Sequence, residues 1–182
     1  RHRLLAMLSQ ETLTRLDQLY TQVYRDNYSL LMAYRQDGFE GPQEVLMAAQ
    51  VALAHRATQT IQALTAPSAE ELSAPNYRAQ LMELAAIATE TEHLDCRLNL
   101  EASVPQLDKV LHQWLQQVLY AENSPLLQNF IELLSVTRRL HIPIQGDRLQ
   151  EQYAQFLREQ WVPRLMPSVL ETTADLPLSA EA

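Results

Sequence analysis

Residues 42–64 read PQEVLMAAQVALAHRATQTIQAL, and this stretch is apolar on most sides when it is wound as a helix. Its proline suits the first position of a helix, where the backbone N–H has no partner within the helix in any case. A helix that is apolar around most of its circumference has to be surrounded by other elements. We therefore predict that this segment forms a central helix and that the other helices pack around it.

The composition of the whole chain favours helices. Among 182 residues, 47% are hydrophobic and only three are glycine, while Leu, Ala, Gln and Glu are abundant. That length suits one domain with its own core. We predict an all-α fold of about six helices in three antiparallel pairs, arranged as a compact bundle or a short helical solenoid. The domain is expected to span residues 1–170, with residues 171–182 as a flexible tail.

The first helix is predicted from Ser9 to Asp37 and is expected to end at Gly38. Tyr24 and Tyr28 project to the flank of its apolar stripe, where a neighbouring domain is one possible contact and core packing the other. Asn27 falls within the apolar face, where an amide needs its hydrogen bonds met. The stripe that we expect to face the core consists of Leu13, Leu16, Tyr20, Val23, Leu30, Leu31 and Tyr34.

Four further helices are predicted, and most of their boundaries are marked by prolines in a first turn or cations in a last turn. The links between the helices also show a weak repeat: Phe39, Leu94 and His141 each follow a helix and precede a short link, at intervals of 55 and 47 residues. This spacing supports three stacked helix pairs. The boundary signals are Pro75 and Pro105 for the third and fourth helices, Ser124, Pro125, Arg138 and Arg139 for the fifth, and Leu149 to Trp161 for the sixth.

Charge and cysteine content limit the functional classes. The net charge of −8 repels phosphate backbones, so we expect no nucleic-acid partner. The most apolar window, Val45 to Ala54, is far shorter than the roughly 20 residues that span a bilayer, so we expect no membrane partner. Cys96 is the only cysteine, which excludes a disulfide within the chain and fits a reducing cytoplasm.

Two pairs of side chains have spacings that catalytic or metal sites use. Glu90 and His93 show the Glu-x-x-His spacing of di-iron bundles, but no second such pair exists in the sequence, so a solvated helix end is favoured. Asp108 and His112 stand four residues apart, which suits acid–base work or an ordinary surface pair, and no nucleophile is assigned beside them. We expect no catalytic, cofactor-binding or metal-binding residue.

One family resemblance rests on residues 19–31, which read LYTQVYRDNYSLL, followed by GFEGPQE at residues 38–44 and an Ala-rich helix ending in AHR at residues 54–56. The pattern resembles the C-terminal helical region of bacterial proteins whose N-terminal part belongs to glycoside hydrolase family 57, the amylase and mannosidase group. The similarity covers most of residues 13–165. It implies an accessory domain of a carbohydrate-active enzyme that acts on α-glucan-like substrates.

The resemblance carries over no catalytic residue. Enzymes of that family are expected to hold a catalytic Glu and Asp on a parallel β/α barrel and to act by a retaining route. The present sequence shows no alternation of strands and helices.

The leading hypothesis from the sequence is a non-catalytic accessory domain whose partner is the N-terminal catalytic domain of the same polypeptide. Because no initiator Met precedes Arg1, we expect the chain to be part of a longer protein. The possible interdomain contacts lie on the first helix: Tyr20, Tyr24, Asn27 and Tyr28.

Two rival hypotheses come from other classes. One is a free-standing helical-repeat scaffold, which predicts an exposed apolar groove between helix pairs. The other is a small helical metalloenzyme, which predicts Glu90 and His93 in a polar cavity beside further carboxylates.

Overall fold

The predicted all-α fold is confirmed by a computed structural model, which describes residues 2–64, 75–120 and 124–163. The predicted loop at residues 65–74 and the predicted tail at residues 171–182 lie outside the described residues. A 3-10 turn, Glu101–Ser103, precedes the fourth helix, and a π-helical turn, Leu157–Trp161, continues the sixth. The helices are α1 His2–Gln36, α2 Gln43–Ala63, α3 Pro75–Leu94, α4 Val104–Tyr120, α5 Ser124–Arg139 and α6 Gly146–Phe156.

The six helices of the described residues form a compact, two-layered stack. Helix α1 packs along α2, α2 packs against α3, and α4 packs against α5. Each helix also contacts the next but one in the chain: α1 contacts α3 and α3 contacts α5, while α2 contacts α4 and α4 contacts α6. Helices α1, α3 and α5 therefore form one layer and α2, α4 and α6 the other.

The three odd-numbered helices end in the same way. A residue one or two positions past the end of each of them has a left-handed backbone conformation, with φ of 75° at Gly38, 48° at Asp95 and 54° at His141. The next N–H then bonds to the carbonyl five residues earlier, which satisfies a carbonyl that the helix leaves free, as in a Schellman motif. These bonds join Phe39 to Tyr34, Cys96 to Thr91 and Ile142 to Thr137, at 2.8 to 3.1 Å.

Helix α2 contacts α1, α3 and α4 but makes little or no contact with α5 and α6, so the predicted central position holds only for the first half of the bundle. Pro42 caps its start and Leu64 its end. Its small residues let neighbouring helices approach closely, and the aliphatic Leu53 and Ile61 fill the space between them. The buried residues of α2 are Ala48, Ala49, Ala52, Leu53, Ala57 and Ile61.

The predicted core face of α1 is wrong for most of its length. Tyr24, which we placed at the flank, is buried, as is Leu31. The face is rotated because α2 and α3 both pack against α1 on the side of Tyr24. A periodic apolar stripe identifies a helix face but does not say whether this domain or another protein covers it. Four members of the predicted core stripe are exposed: Leu13, Leu16, Val23 and Leu30.

Candidate functional site

A partly buried polar network joins the first three helices. The Tyr24 hydroxyl on α1 donates a 2.7 Å hydrogen bond to Oε2 of Glu90 on α3. Arg56 on α2 donates to both oxygens of Glu90 at 3.1 and 3.2 Å. The same guanidinium donates to Oε1 of Glu83 at 2.6 and 3.1 Å. Glu83 lies on the same side of α3 as Glu90, seven residues earlier in the chain. The Arg56 guanidinium is therefore paired with both carboxylates, and the Tyr24 phenol binds one of them, that of Glu90.

The network shifts the ionisation of its members. Burial, reinforced by the hydrogen bond and negative charge of Glu90, raises the pKa of the Tyr24 phenol well above its ordinary value. Burial works against the charge of Arg56, but the hydrogen bonds and charges of Glu83 and Glu90 outweigh it and raise the pKa of the guanidinium. At neutral pH the Tyr24 phenol is therefore protonated and donates its hydrogen bond to Glu90, so the network ties the three helices together.

The four residues predicted for an interdomain contact have different surroundings. Tyr24 is 4% exposed, so its ring is committed to the interior of this domain. Tyr28 is exposed and meets the Tyr24 ring edge to face, with 5.7 Å between centroids. Asn27 donates to the backbone carbonyl of Val23 at 2.8 Å, so its amide is bonded within the helix. Tyr20, Asn27 and Tyr28 remain accessible at least in part, and their role in a contact stays a prediction.

A row of exposed apolar side chains runs along α1 beside these residues. Leu16, Leu19, Val23 and Leu30 are between 40 and 59% exposed and are spaced by three, four and seven residues. This spacing keeps them on one side of a helix over about 20 Å, at 1.5 Å per residue. We call these four residues the α1 stripe. It has the heptad spacing of a helix that packs against another element, yet no helix of the described residues covers it.

Neither of the two spaced polar pairs forms a catalytic site. Glu90 is bound to Arg56 and Tyr24, and His93 is exposed, so the two do not converge on one point. Within the described residues, no group of three or more His, Cys, Asp or Glu side chains is placed to hold a metal ion. The metalloenzyme hypothesis predicts a polar cavity around Glu90 and His93, and the described residues do not form one there.

Asp108 and His112 serve the packing of α6. Asp108 accepts a 3.2 Å bond from the backbone N–H of Gln145, and His112 Nδ1 lies 2.9 Å from Oε1 of Gln152. The amide nitrogen of Gln152 in turn donates to the His112 carbonyl at 3.3 Å. Both side chains thus tie α4 to α6 and the link before it, and they do not bond to each other.

The grooves at the two ends of the stack are lined by different residue types. At the first helix pair, a groove of about 620 Å³ lined by polar and charged residues lies between α1 and α2, where His55 is 3.2 Å from Asp17 and 2.6 Å from Gln59. At the last pair, an open groove of about 580 Å³ is lined mainly by apolar and aromatic side chains of α4, α5 and α6. Tyr120 and Phe156 meet there edge to face at 5.2 Å, and Trp161 is 51% exposed.

The described helices form a bundle in which α1 packs on α2 and α4 packs on α5, whereas the predicted pairs α3 with α4 and α5 with α6 make little direct contact. None of the helices in the described part of the chain combines the length and the apolar content that crossing a bilayer requires. Comparisons with protein-family models, curated proteins and solved structures find no match.

Sequence reasoning missed the ion pairs of Arg56, although one signal for them exists. Glu83 and Glu90 are seven residues apart, which places them on the same side of α3. Two carboxylates on one side of a half-buried helix require a cation from a neighbouring element. The identity of that cation depends on which helix packs there, and the sequence alone does not give it.

Proposed function

We propose that this chain is a non-catalytic helical accessory domain that docks against another folded domain through the α1 stripe. The observation that carries the proposal is the exposure of Leu16, Leu19, Val23 and Leu30 in one row. Contiguous apolar side chains on a protein surface mark interaction sites, because burying them against a partner removes unfavourable apolar surface from water. The polar network of Tyr24, with its hydrogen bonds already met, holds α1 rigidly on the bundle behind that row.

The partner in this proposal is a catalytic domain of the same polypeptide, related to glycoside hydrolase family 57 and acting on α-glucans. Support for this part comes from the resemblance of residues 19–31 and 38–56 to helical regions that follow such domains. It also comes from the polar pairs of the chain, which are engaged in packing and form no acid–base constellation. A cytoplasmic location belongs to the same proposal and is supported by the single cysteine, Cys96.

The test begins with the gene. The coding sequence upstream of Arg1 is read, the encoded segment is expressed separately, and its binding to this chain is measured by calorimetry. We expect the double substitution Leu19→Asp and Val23→Asp to weaken binding by at least about tenfold, which corresponds to about 1.4 kcal/mol. The matched control is Met82→Asp, which changes an equally exposed apolar residue on α3 and is expected to leave binding unchanged.

Two results would overturn the proposal. One is unchanged affinity of the double variant for an upstream domain that binds the unsubstituted chain. The other is an upstream region that encodes no folded domain, in which case the α1 stripe has no partner in the same polypeptide.

A second candidate function is a helical-repeat scaffold that binds other proteins. The specific observation that favours it is the repeated cap at Gly38, Asp95 and His141, together with an apolar groove at the last helix pair. This candidate locates binding in the groove, whereas the accessory domain uses α1. Substitution of the α1 stripe therefore separates the two, because it spares a partner that binds in the groove.

A further inference from the structure

The α1 stripe is interrupted at one position by a carboxylate. Its members occupy four of five successive positions that are spaced alternately by three and four residues, as the core positions of a heptad repeat are. The fifth position, between Val23 and Leu30, is Asp26, and its side chain is exposed. Asp26 follows Leu19 by seven residues, so the two lie on the same side of α1. Any element that covers the whole stripe therefore also comes close to Asp26.

Asp26 has no cationic partner among the described residues. None of the ion pairs there includes it, and Arg15, the nearest cation along the same side of the helix, is paired with Glu11 at 2.7 Å. In the groove between α1 and α2, which Asp26 also borders, His55 is bound to Asp17. A cation three or four residues away on α1 could reach Asp26, but those positions hold Gln22, Val23, Ser29 and Leu30.

The position of Asp26 sets a condition on whatever binds the α1 stripe. A carboxylate that moves from water into an apolar contact loses its hydration, and a purely apolar partner would leave it buried without a counter-charge. A lysine or arginine opposite Asp26 supplies that charge. The net charge of −8 acts in the same direction, because it attracts a basic surface.

The shape of the α1 stripe indicates a helix as its partner. The stripe is a single narrow row that extends over about 20 Å along α1. A row with heptad spacing matches the side chains of one helix lying along it, which insert between its members. A partner helix of this kind carries its own row of apolar residues and is amphipathic.

We propose that the α1 stripe binds an amphipathic helix of the partner domain, and that this helix carries a lysine or arginine opposite Asp26. The proposal rests on the proposed function, in which that domain belongs to the same polypeptide. The charged pair fixes how the two helices are aligned, as a polar residue at one core position does in coiled coils.

A second copy of this chain does not meet the condition set by Asp26. None of the five positions of the row holds a cation. If α1 paired with α1 of another copy, Asp26 would face an apolar residue or another Asp26, and either arrangement is unfavourable. The charge at this position therefore selects a different helix over self-association.

Substitution of Asp26 tests the charged pair, and the direction of the effect is decisive. The upstream segment described above serves as the ligand, and calorimetry measures its affinity. If a cation faces Asp26, Asp26→Leu leaves that cation buried and unpaired, and the affinity is expected to fall at least about tenfold. If no cation faces it, the same substitution extends the apolar row and removes a desolvation cost, so the affinity rises. Asp26→Asn, which keeps the size of the side chain, is expected to weaken binding as well.

Two controls separate this contact from general attraction between charges. Glu151→Leu removes an exposed carboxylate from α6 and changes the net charge by the same amount as Asp26→Leu, and it is expected to leave the affinity unchanged. High salt screens the attraction between net charges, but it screens a pair enclosed in an interface much less. The loss caused by Asp26→Leu is therefore expected to persist at high salt.

A charge exchange identifies the cation. Asp26→Lys is expected to abolish binding, because it places two cations against each other. Replacing the lysine or arginine in the apolar row of the partner helix by glutamate is expected to restore binding to Asp26→Lys.

The possible failures of the two proposals are distinguishable. Unchanged or higher affinity of Asp26→Leu overturns the charged pair, and the proposed function still stands if Leu19→Asp with Val23→Asp weakens binding. If that double variant binds as well as the unsubstituted chain, or if no upstream domain binds, both proposals are wrong. If the chain alone associates in sedimentation experiments and the double variant does not, a second copy covers the α1 stripe, and the proposed helix is not its partner.

Discussion

The Tyr24 hydroxyl and the Glu90 carboxylate, 66 residues apart in the chain, are joined by a 2.7 Å hydrogen bond that ties α1 to α3. The phenol is buried, whereas Glu90 retains 22% of its side-chain exposure and is also bound to Arg56. A neutral donor thus meets a carboxylate that is already paired with a cation. This arrangement avoids an isolated buried charge and fixes how α1 is rotated on the bundle.

Replacing Tyr24 by Phe is expected to lower the free energy of unfolding by about 1.5 kcal/mol, because the lost bond has a charged acceptor. The ring itself remains, so little packing is lost. Urea unfolding followed by circular dichroism measures the change. Tyr28→Phe is the control, since Tyr28 is exposed and is expected to change stability little. Equal effects of the two substitutions would contradict the role assigned to the bond.

The loss of stability caused by Tyr24→Phe is expected to depend on pH in the alkaline range. Burial raises the pKa of the Tyr24 phenol in the folded state, whereas in the unfolded chain it ionises near its ordinary value of about 10. Above that pH the unfolded chain has lost the Tyr24 proton and the folded chain keeps it, so the contribution of this group to stability falls as pH rises. The difference in stability between the protein and Tyr24→Phe should therefore shrink from pH 8 to pH 11 if both remain folded.

The stabilising effect of Arg56 is expected to depend on the shape of its guanidinium group as well as on its positive charge. Its guanidinium contacts Glu83 and Glu90 from separate nitrogens, which the single ammonium group of lysine does not reproduce. Arg56→Lys should therefore cost about 1–2 kcal/mol of stability, although the net charge is unchanged. Chemical denaturation at fixed ionic strength measures this cost.

Arg15→Lys is the control for Arg56→Lys. Arg15 pairs with Glu11 at 2.7 Å on the same helix, but both side chains are at least 60% exposed. Exposed pairs contribute little because water and salt screen them, so a change within about 0.5 kcal/mol is expected. A loss for Arg56→Lys no larger than for Arg15→Lys would show that charge alone is needed at position 56.

The sequence predicts the helices of this protein well because their signals are local. Pro42 and Leu64 bound α2, Pro75 begins α3 and Arg139 ends α5, each as expected from nearby residues. The central position of α2 within the first half of the bundle also follows from its own composition. These predictions need no knowledge of which helices become neighbours.

The rotation of α1 is not predicted, because it depends on distant residues. Tyr24 faces inward, where its hydroxyl binds Glu90 on α3, and Glu90 is paired in turn with Arg56 on α2. An amphipathic pattern does not distinguish a core face from a docking face. Of the candidate interdomain residues, Tyr24 is buried, and the α1 stripe is exposed beside it.

The left-handed caps give a prediction about stability and the repeat. Asp95 and His141 hold positive φ angles that L-residues adopt at a cost, whereas Gly38 holds the equivalent position freely. We expect Asp95→Gly and His141→Gly each to stabilise the protein by about 0.5–1 kcal/mol after the larger unfolded-state entropy of glycine is allowed for. Gly38→Ala should destabilise it by about 1 kcal/mol. Thermal and urea unfolding measure all three changes.

Gly146→Ala separates backbone strain from the effect of an added methyl group. A Cβ atom at Gly38 or Gly146 meets no other atom within 4 Å, but only Gly38 has a positive φ. Alanine at Gly146, in the first turn of α6, should stabilise the protein by about 0.5–1 kcal/mol because it restricts the unfolded chain. Gly38→Ala and Gly146→Ala should therefore shift the unfolding midpoint in opposite directions. Shifts of the same sign would mean that the positive φ at Gly38 does not disfavour alanine there. The three left-handed caps would then not contribute to stability in the same way.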